Sequence, residues 1–207
     1  MSIIKIDEKL IYSHLAKYRN LGSNTQECRE AIHNASLLLV PHISKELDYS
    51  YNHIPSQGKD EKIFELDSKL VLVVIKRAGN FMQKAFTKLL HAATIVSVTT
   101  KRTNIDTLDI VDFPLSEITE ESKLIIIDPI IGTGKTMIKV LDNLQNKISF
   151  KNIIIATLMA GKRGLDNIQN YNDEVKVYSC YELPNLECFA YPRAVDIGDR
   201  LCGSIPK

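Results

Sequence analysis

Five short runs of mostly aliphatic, β-branched-rich residues, at 70–75, 94–99, 123–127, 152–157 and 175–179, punctuate this chain, with helical or loop-like stretches between them. The runs are almost continuously apolar and do not alternate apolar with polar residues. A strand of that kind is shielded on both faces, so the pattern predicts an α/β fold with a mostly parallel central sheet of about five strands flanked by helices. The 207 residues suffice for one full core, and the chain reads as a single domain over 1–207 without internal repeats.

The opening stretch, to about residue 60, reads as a mostly helical segment. Asn24 and Glu27 have the spacing of a capping box, and Ile32, Ala35, Leu38 and Leu39 follow at helical period. Pro41 is expected to kink or end that helix. Residues 52–62 are polar.

Several function classes are excluded early. The apolar runs Leu70 to Ile75 and Leu124 to Ile127 are far shorter than the ~20 residues of a membrane-spanning helix, so no membrane partner is expected. With 26 Lys and Arg against 25 Asp and Glu, the net charge is +1, and no bulk field attracts nucleic acid. Any bound anion must be held locally. The four cysteines, Cys28, Cys180, Cys188 and Cys202, form no C-x-x-C pair and have no histidines at zinc-finger spacing, which points to reduced thiols. Charge appears too soon after Met1 for a signal peptide, and a cytoplasmic protein is expected.

Parallel α/β sheets bind ligands beyond the carboxyl ends of their strands. Three of the runs lead there into dibasic pairs: Lys76-Arg77 followed by Ala78-Gly79, Lys101-Arg102, and Lys162-Arg163 between Gly161 and Gly164. Taken singly, each pair fits ordinary loop charge. A common rim makes them a site for a polyanion, with arginine suited to bidentate phosphate contact.

The third run opens into Asp128-Pro129-Ile130-Ile131-Gly132-Thr133-Gly134-Lys135-Thr136-Met137 and then an amphipathic stretch from Ile138 to Leu144. Strand, glycine-rich turn and helix in that order form a phosphate cradle: the glycines let amides point inward, the threonines add hydroxyl donors, and the helix start favours negative charge. Gly134-Lys135-Thr136 imitates the second half of a nucleotide-triphosphate P-loop, but Pro129 falls where the first half would begin, with fixed φ and no N–H. Asp128 can accept hydrogen bonds from two sugar hydroxyls, stand near a magnesium ion brought by a polyphosphate, or serve as a buried loop cap.

Asp128 to Met137 resembles the ribose-phosphate loop of type I phosphoribosyltransferases, enzymes that use 5-phosphoribosyl-1-pyrophosphate (PRPP). Three further segments resemble the uracil phosphoribosyltransferase family, of which the chain is identified as a divergent member. Arg77-Ala78-Gly79 is similar to its R-A-G turn. Leu15 to Arg19 with Thr25 and Arg29 is similar to its N-terminal positions, with Cys28 in place of Phe. Pro192 to Ser204 resembles its P-G-L-G-D-A-G-D-R-x-F-G-T segment.

The resemblance implies a type I phosphoribosyltransferase fold with a C-terminal base-binding hood over 180–207. It implies transfer of the phosphoribosyl group from PRPP to uracil, giving UMP and pyrophosphate, with Mg2+ bound alongside PRPP and no assigned metal ligands. Arg77, Arg102, Asp128 and Asp196 would carry catalysis. Arg77, Ala78, Gly79, Arg102, Asp128, Gly132, Thr133, Gly134, Lys135 and Thr136 would bind PRPP, and Ala190, Val195, Asp196 and Ile197 would line the base. Asp199 and Arg200 would anchor the hood, and a homodimer or higher homo-oligomer is implied. Departures from the family pattern are Arg193, Val195 and Ile197, which add bulk at the expected pocket wall, Lys135 in place of a glycine, and Thr103-Asn104 in place of two acidic residues. Transfer to a purine base, or PRPP binding without turnover, is the alternative.

Overall fold

The computed structural model describes residues 3–66, 69–102, 108–183 and 197–203. All five apolar runs are strands: β4 (Leu70–Ile75), β5 (Thr94–Arg102), β7 (Lys123–Ile127), β9 (Ile153–Gly161) and β10 (Lys176–Leu183). They lie in a larger sheet than five, since β1 (Ile3–Lys5), β6 (Leu108–Asp112) and β8 (Ile130–Ile131) join them. The order is β1-β10-β9-β7-β4-β5-β6, with β8 beside β9. Every pairing is parallel except that of β5 with β6. The three added strands are too short or too polar to announce themselves as apolar runs.

Burial explains why the runs do not alternate. Leu72, Val74, Ile125 and Ile127 face a core shared with α1 (Lys9–Arg19), α2 (Thr25–Ile43) and α3 (Asn80–Leu89). Val71, Val73, Leu124 and Ile126 face the other side, against α4 (Lys135–Leu144) and α5 (Lys162–Tyr171). Two apolar faces require apolar residues at every position. No helix among the described residues is long and apolar enough to cross a membrane.

The capping box is present: Glu27 N–H donates to Asn24 Oδ1 at 3.0 Å, and Asn24 N–H to Glu27 Oε2 at 2.8 Å. Pro41 sits inside α2 without ending it, and the helix runs to Ile43. The helical reading to about residue 60 is corrected beyond Glu46. Tyr49–Ser56 (β2) and Lys59–Leu66 (β3) form a separate antiparallel hairpin. Gln57 at φ 45° and Gly58 at φ 81° make its two-residue turn, a geometry usually signalled by Asn-Gly or Asp-Gly.

Candidate active site

The site is built where β4 and β7 end side by side, Val74 pairing with Ile127. Past β4, Lys76 N–H donates to Val98 O at 2.8 Å, the Lys76–Arg77 peptide is cis, and Gly79 N–H donates to Ile75 O at 2.8 Å. A Cβ on Gly79 would lie 2.5 Å from Ile75 O and 2.8 Å from Ile127 O. Only glycine lets Arg77-Ala78-Gly79 fold down onto both strand ends, directly beside Asp128.

Past β7, Asp128 N–H donates to Ala156 O at 3.3 Å, and Pro129 O accepts from Met159 N–H at 3.1 Å, so β9 holds the strand exit. The chain then crosses Gly132, Thr133 and Gly134 into α4. Gly134 has φ +79°, and a Cβ there would meet Gly164 O at 2.8 Å. A Cβ on Gly164 would stand 2.2 Å from Gly132 O, and Asn167 Nδ2 donates to Thr133 O at 3.0 Å. α5 therefore clamps the loop from behind. In the sequence Gly164 stands only as part of a basic loop, and nothing there singles out Asn167.

α4 has no side-chain cap, and its first internal bond joins Ile138 N–H to Gly134 O at 2.9 Å. The first-turn amides lie at the positive end of the helix, which suits a tetrahedral anion. Lys135 is exposed and Thr136 half-buried in that first turn.

Asp128 is half-buried at the mouth of the loop, its Oδ1 accepting from Ile130 N–H at 3.4 Å. Loss of water around it pushes its carboxyl up to about 7, with the Ile130 amide acting the other way. Among the described residues no three His, Cys, Asp or Glu side chains group as a metal site. One carboxylate beside an anion cradle fits magnesium held chiefly by substrate oxygens and water, not a resident all-protein cage.

Lys76-Arg77 follows β4 and Lys162-Arg163 follows β9 at the start of α5, whereas Lys101 and Arg102 are the last two residues of β5 itself. Lys162, however, is engaged by Asp166 one turn along α5, at 2.8 and 3.0 Å. Arg102 ends β5 opposite Leu108, and its side chain lies outside the described residues. Ala190, Val195 and Asp196, with Arg193, Thr103 and Asn104, also lie outside them.

Ile197 opens α6 (Ile197–Cys202), and its side chain is buried in the core with Leu201. The Ile197 side chain, expected at a pocket wall, is thus packed inward, because α6 needs an apolar face against α2. Arg200 provides the expected anchoring: it is buried, its Nε donates to Cys28 Sγ at 3.1 Å, its Nη2 donates to Asn20 O, and its guanidinium lies over Tyr18. Cys28, the residue in place of Phe, is therefore part of the mount for α6. Arg29 Nε adds a bond to Leu201 O at 2.7 Å. Asp199 meets Arg77, Oδ1 accepting from Nη2 at 3.2 Å. Cys180 is inert by comparison, burial pushing its thiol up to about 12.

A mostly parallel sheet with a strand, glycine turn and helix, joined by a glycine-tight basic turn on the adjacent strand, is the architecture of the type I phosphoribosyltransferase fold. The AQ2163 protein from Aquifex aeolicus shares the fold, with TM-score 0.85 and 21% identity over 96% of this chain and 97% of that one. Adenine phosphoribosyltransferase from Thermoanaerobacter pseudethanolicus aligns with TM-score 0.51 and 11% identity over 77% of this chain and 84% of its own.

The family description "Uracil phosphoribosyltransferase" matches residues 5–204, and the chain belongs to that family. The uracil phosphoribosyltransferase of Staphylococcus carnosus is 27% identical over 96% of both chains. That of Bacillus licheniformis is 29% identical, again over 96% of both.

Proposed function

We propose that this protein transfers the phosphoribosyl group from PRPP to a ring nitrogen of uracil, forming UMP and pyrophosphate in pyrimidine salvage in the cytoplasm. The observation that carries the reading is the meeting of two chain segments at the ends of β4 and β7, the Arg77 turn and the Asp128 loop, brought together by Gly79 against Ile127 O. The family match over residues 5–204 supports it.

In this reading the 5′-phosphate sits on the amides and hydroxyls of Gly132 to Thr136, and ionised Asp128 accepts from the ribose hydroxyls. Arg77, with the neighbouring Ala78 and Gly79 backbone, and Arg102 meet the pyrophosphate, and Asp196 stands at the same end. Main-chain groups of Ala190, Val195 and Ile197 read the imide edge of uracil. Mg2+, when bound with PRPP, neutralises pyrophosphate charge. The chain's own contribution is alignment of the two reactants and stabilisation of the departing pyrophosphate, with no protein nucleophile required.

The test is pyrophosphate release from PRPP and Mg2+, with uracil, hypoxanthine, guanine, adenine or no base. Release with uracil alone is expected. Release with a purine alone would keep the phosphoribosyl-transfer reading and displace uracil from it. PRPP or UMP binding without release in any arm would make the protein a non-catalytic relative.

We also propose a homodimer. Its support is the β2–β3 hairpin, which stands apart from the main sheet with Tyr51 54% and Phe64 66% exposed. A lone two-stranded ribbon with exposed aromatic rings is stabilised by being covered.

A further inference from the structure

We propose that Asp199 is a positioning residue for Arg77, orienting the guanidinium before PRPP arrives; this rests on the phosphoribosyl-transfer reading above. The contact joins residues 122 positions apart and links α6 to the Arg77 turn.

Each end of the contact has its own mount. The Arg77 turn is fixed by Gly79, which has no room for a side chain between the backbones of β4 and β7. α6 is fixed by buried Arg200, reaching Cys28 and Asn20, and by the Arg29 bond to Leu201 O. Asp199 contacts one terminal nitrogen, Nη2, of a planar five-donor fork, so it restrains one end of the guanidinium without using its whole donor edge.

The magnitudes separate orientation from stability. The pair is solvent-exposed, with the Arg77 side chain 62% and the Asp199 side chain 37% accessible, and pairs of that kind stabilise a fold little. Its value lies in restricting a long side chain ahead of binding, which lowers the ordering cost that the ligand would otherwise meet. The same weakness lets a polyanion draw the guanidinium toward itself.

The experiment is a double-mutant cycle on the whole chain: wild type, Asp199→Ala, Arg77→Ala, the double variant, and Asp199→Asn. PRPP with Mg2+ is titrated calorimetrically in the absence of base. Asp199→Ala should weaken PRPP binding roughly two- to fivefold and raise KM for PRPP more than it lowers kcat. Asp199→Asn, which keeps Oδ1 as an acceptor, should recover most of that loss. In the Arg77→Ala background, Asp199→Ala should have no effect. Equal losses in both backgrounds, or tighter binding in Asp199→Ala, would overturn the proposal.

NMR relaxation of the Arg77 side-chain Nε–H without any ligand supplies a readout independent of the transfer reading. Asp199→Ala should increase the mobility of that group on the ps–ns scale. Unchanged mobility would overturn the positioning contact even if PRPP binds. Failure of the wild type to bind PRPP, with Arg77 mobilised in Asp199→Ala as expected, would instead remove the transfer reading and leave the contact standing.

Discussion

Asp128 shows how a local environment sets chemistry. Burial holds its carboxyl up to about 7, so the folded protein keeps a proton that the unfolded chain has lost from about pH 4 upward. The folded state binds more protons across that window, and its stability falls as pH rises through it, with the cost complete above 7. Asp128→Asn should therefore raise Tm by a few degrees at pH 8 and by much less at pH 4, in thermal melts of both proteins. The ionised carboxylate is the better acceptor for ribose hydroxyls, so PRPP affinity of the wild type should increase from pH 6 to 8 more steeply than that of Asp128→Asn. A variant with parallel melts and a parallel affinity profile would remove Asp128 from this role. Arg102→Ala should lower turnover by roughly two to three orders of magnitude under the proposed contact to the leaving pyrophosphate. Unaltered turnover would end that assignment.

At the scale of elements, the phosphate loop depends on a contact between α5 and the turn before α4. Gly164 has a backbone oxygen where its Cβ would be, at 2.2 Å, and both partners are main chain that cannot rotate aside. Gly164→Ala should cost about 1–3 kcal/mol, seen as a lowered Tm, and should weaken PRPP binding because the loop must shift. An equally stable variant with unchanged affinity would show that α5 does not support the loop. The loop itself was legible in the sequence because strand, glycines and helix lie within some twenty consecutive residues. Its clamp was not, since Gly164 and Asn167 reach Thr133 and Gly132 only after β9 has returned the chain to the same rim. The capping box was legible for the same local reason. The hairpin was not, because Gln57-Gly58 lacks the usual turn signature and the strands around it are largely polar.

For the whole molecule, the exposed aromatics of the hairpin, with Tyr51 and Phe64 ring centroids 4.8 Å apart, are the surface on which the proposed dimer is tested. Sedimentation should find a dimer for the wild type and a smaller species for Tyr51→Ser with Phe64→Ser. A dimer that survives both substitutions places the interface elsewhere.

The mostly parallel α/β class, the five core strands, the glycine turn between β7 and α4 and the basic turn after β4 were all determined by the sequence alone. Each rests on residues adjacent in the chain, where apolar periodicity and glycine spacing act directly. Tertiary structure decided the rest. It set which helices cover which face, sending alternate residues of β4 into opposite clusters, and it turned Ile197 inward. It also brought together Gly79 with Ile127, Arg200 with Cys28, and Arg77 with Asp199. Those pairings depend on where the strands cross and how α6 returns to α2, geometry that exists only once the helices have buried both faces of the sheet.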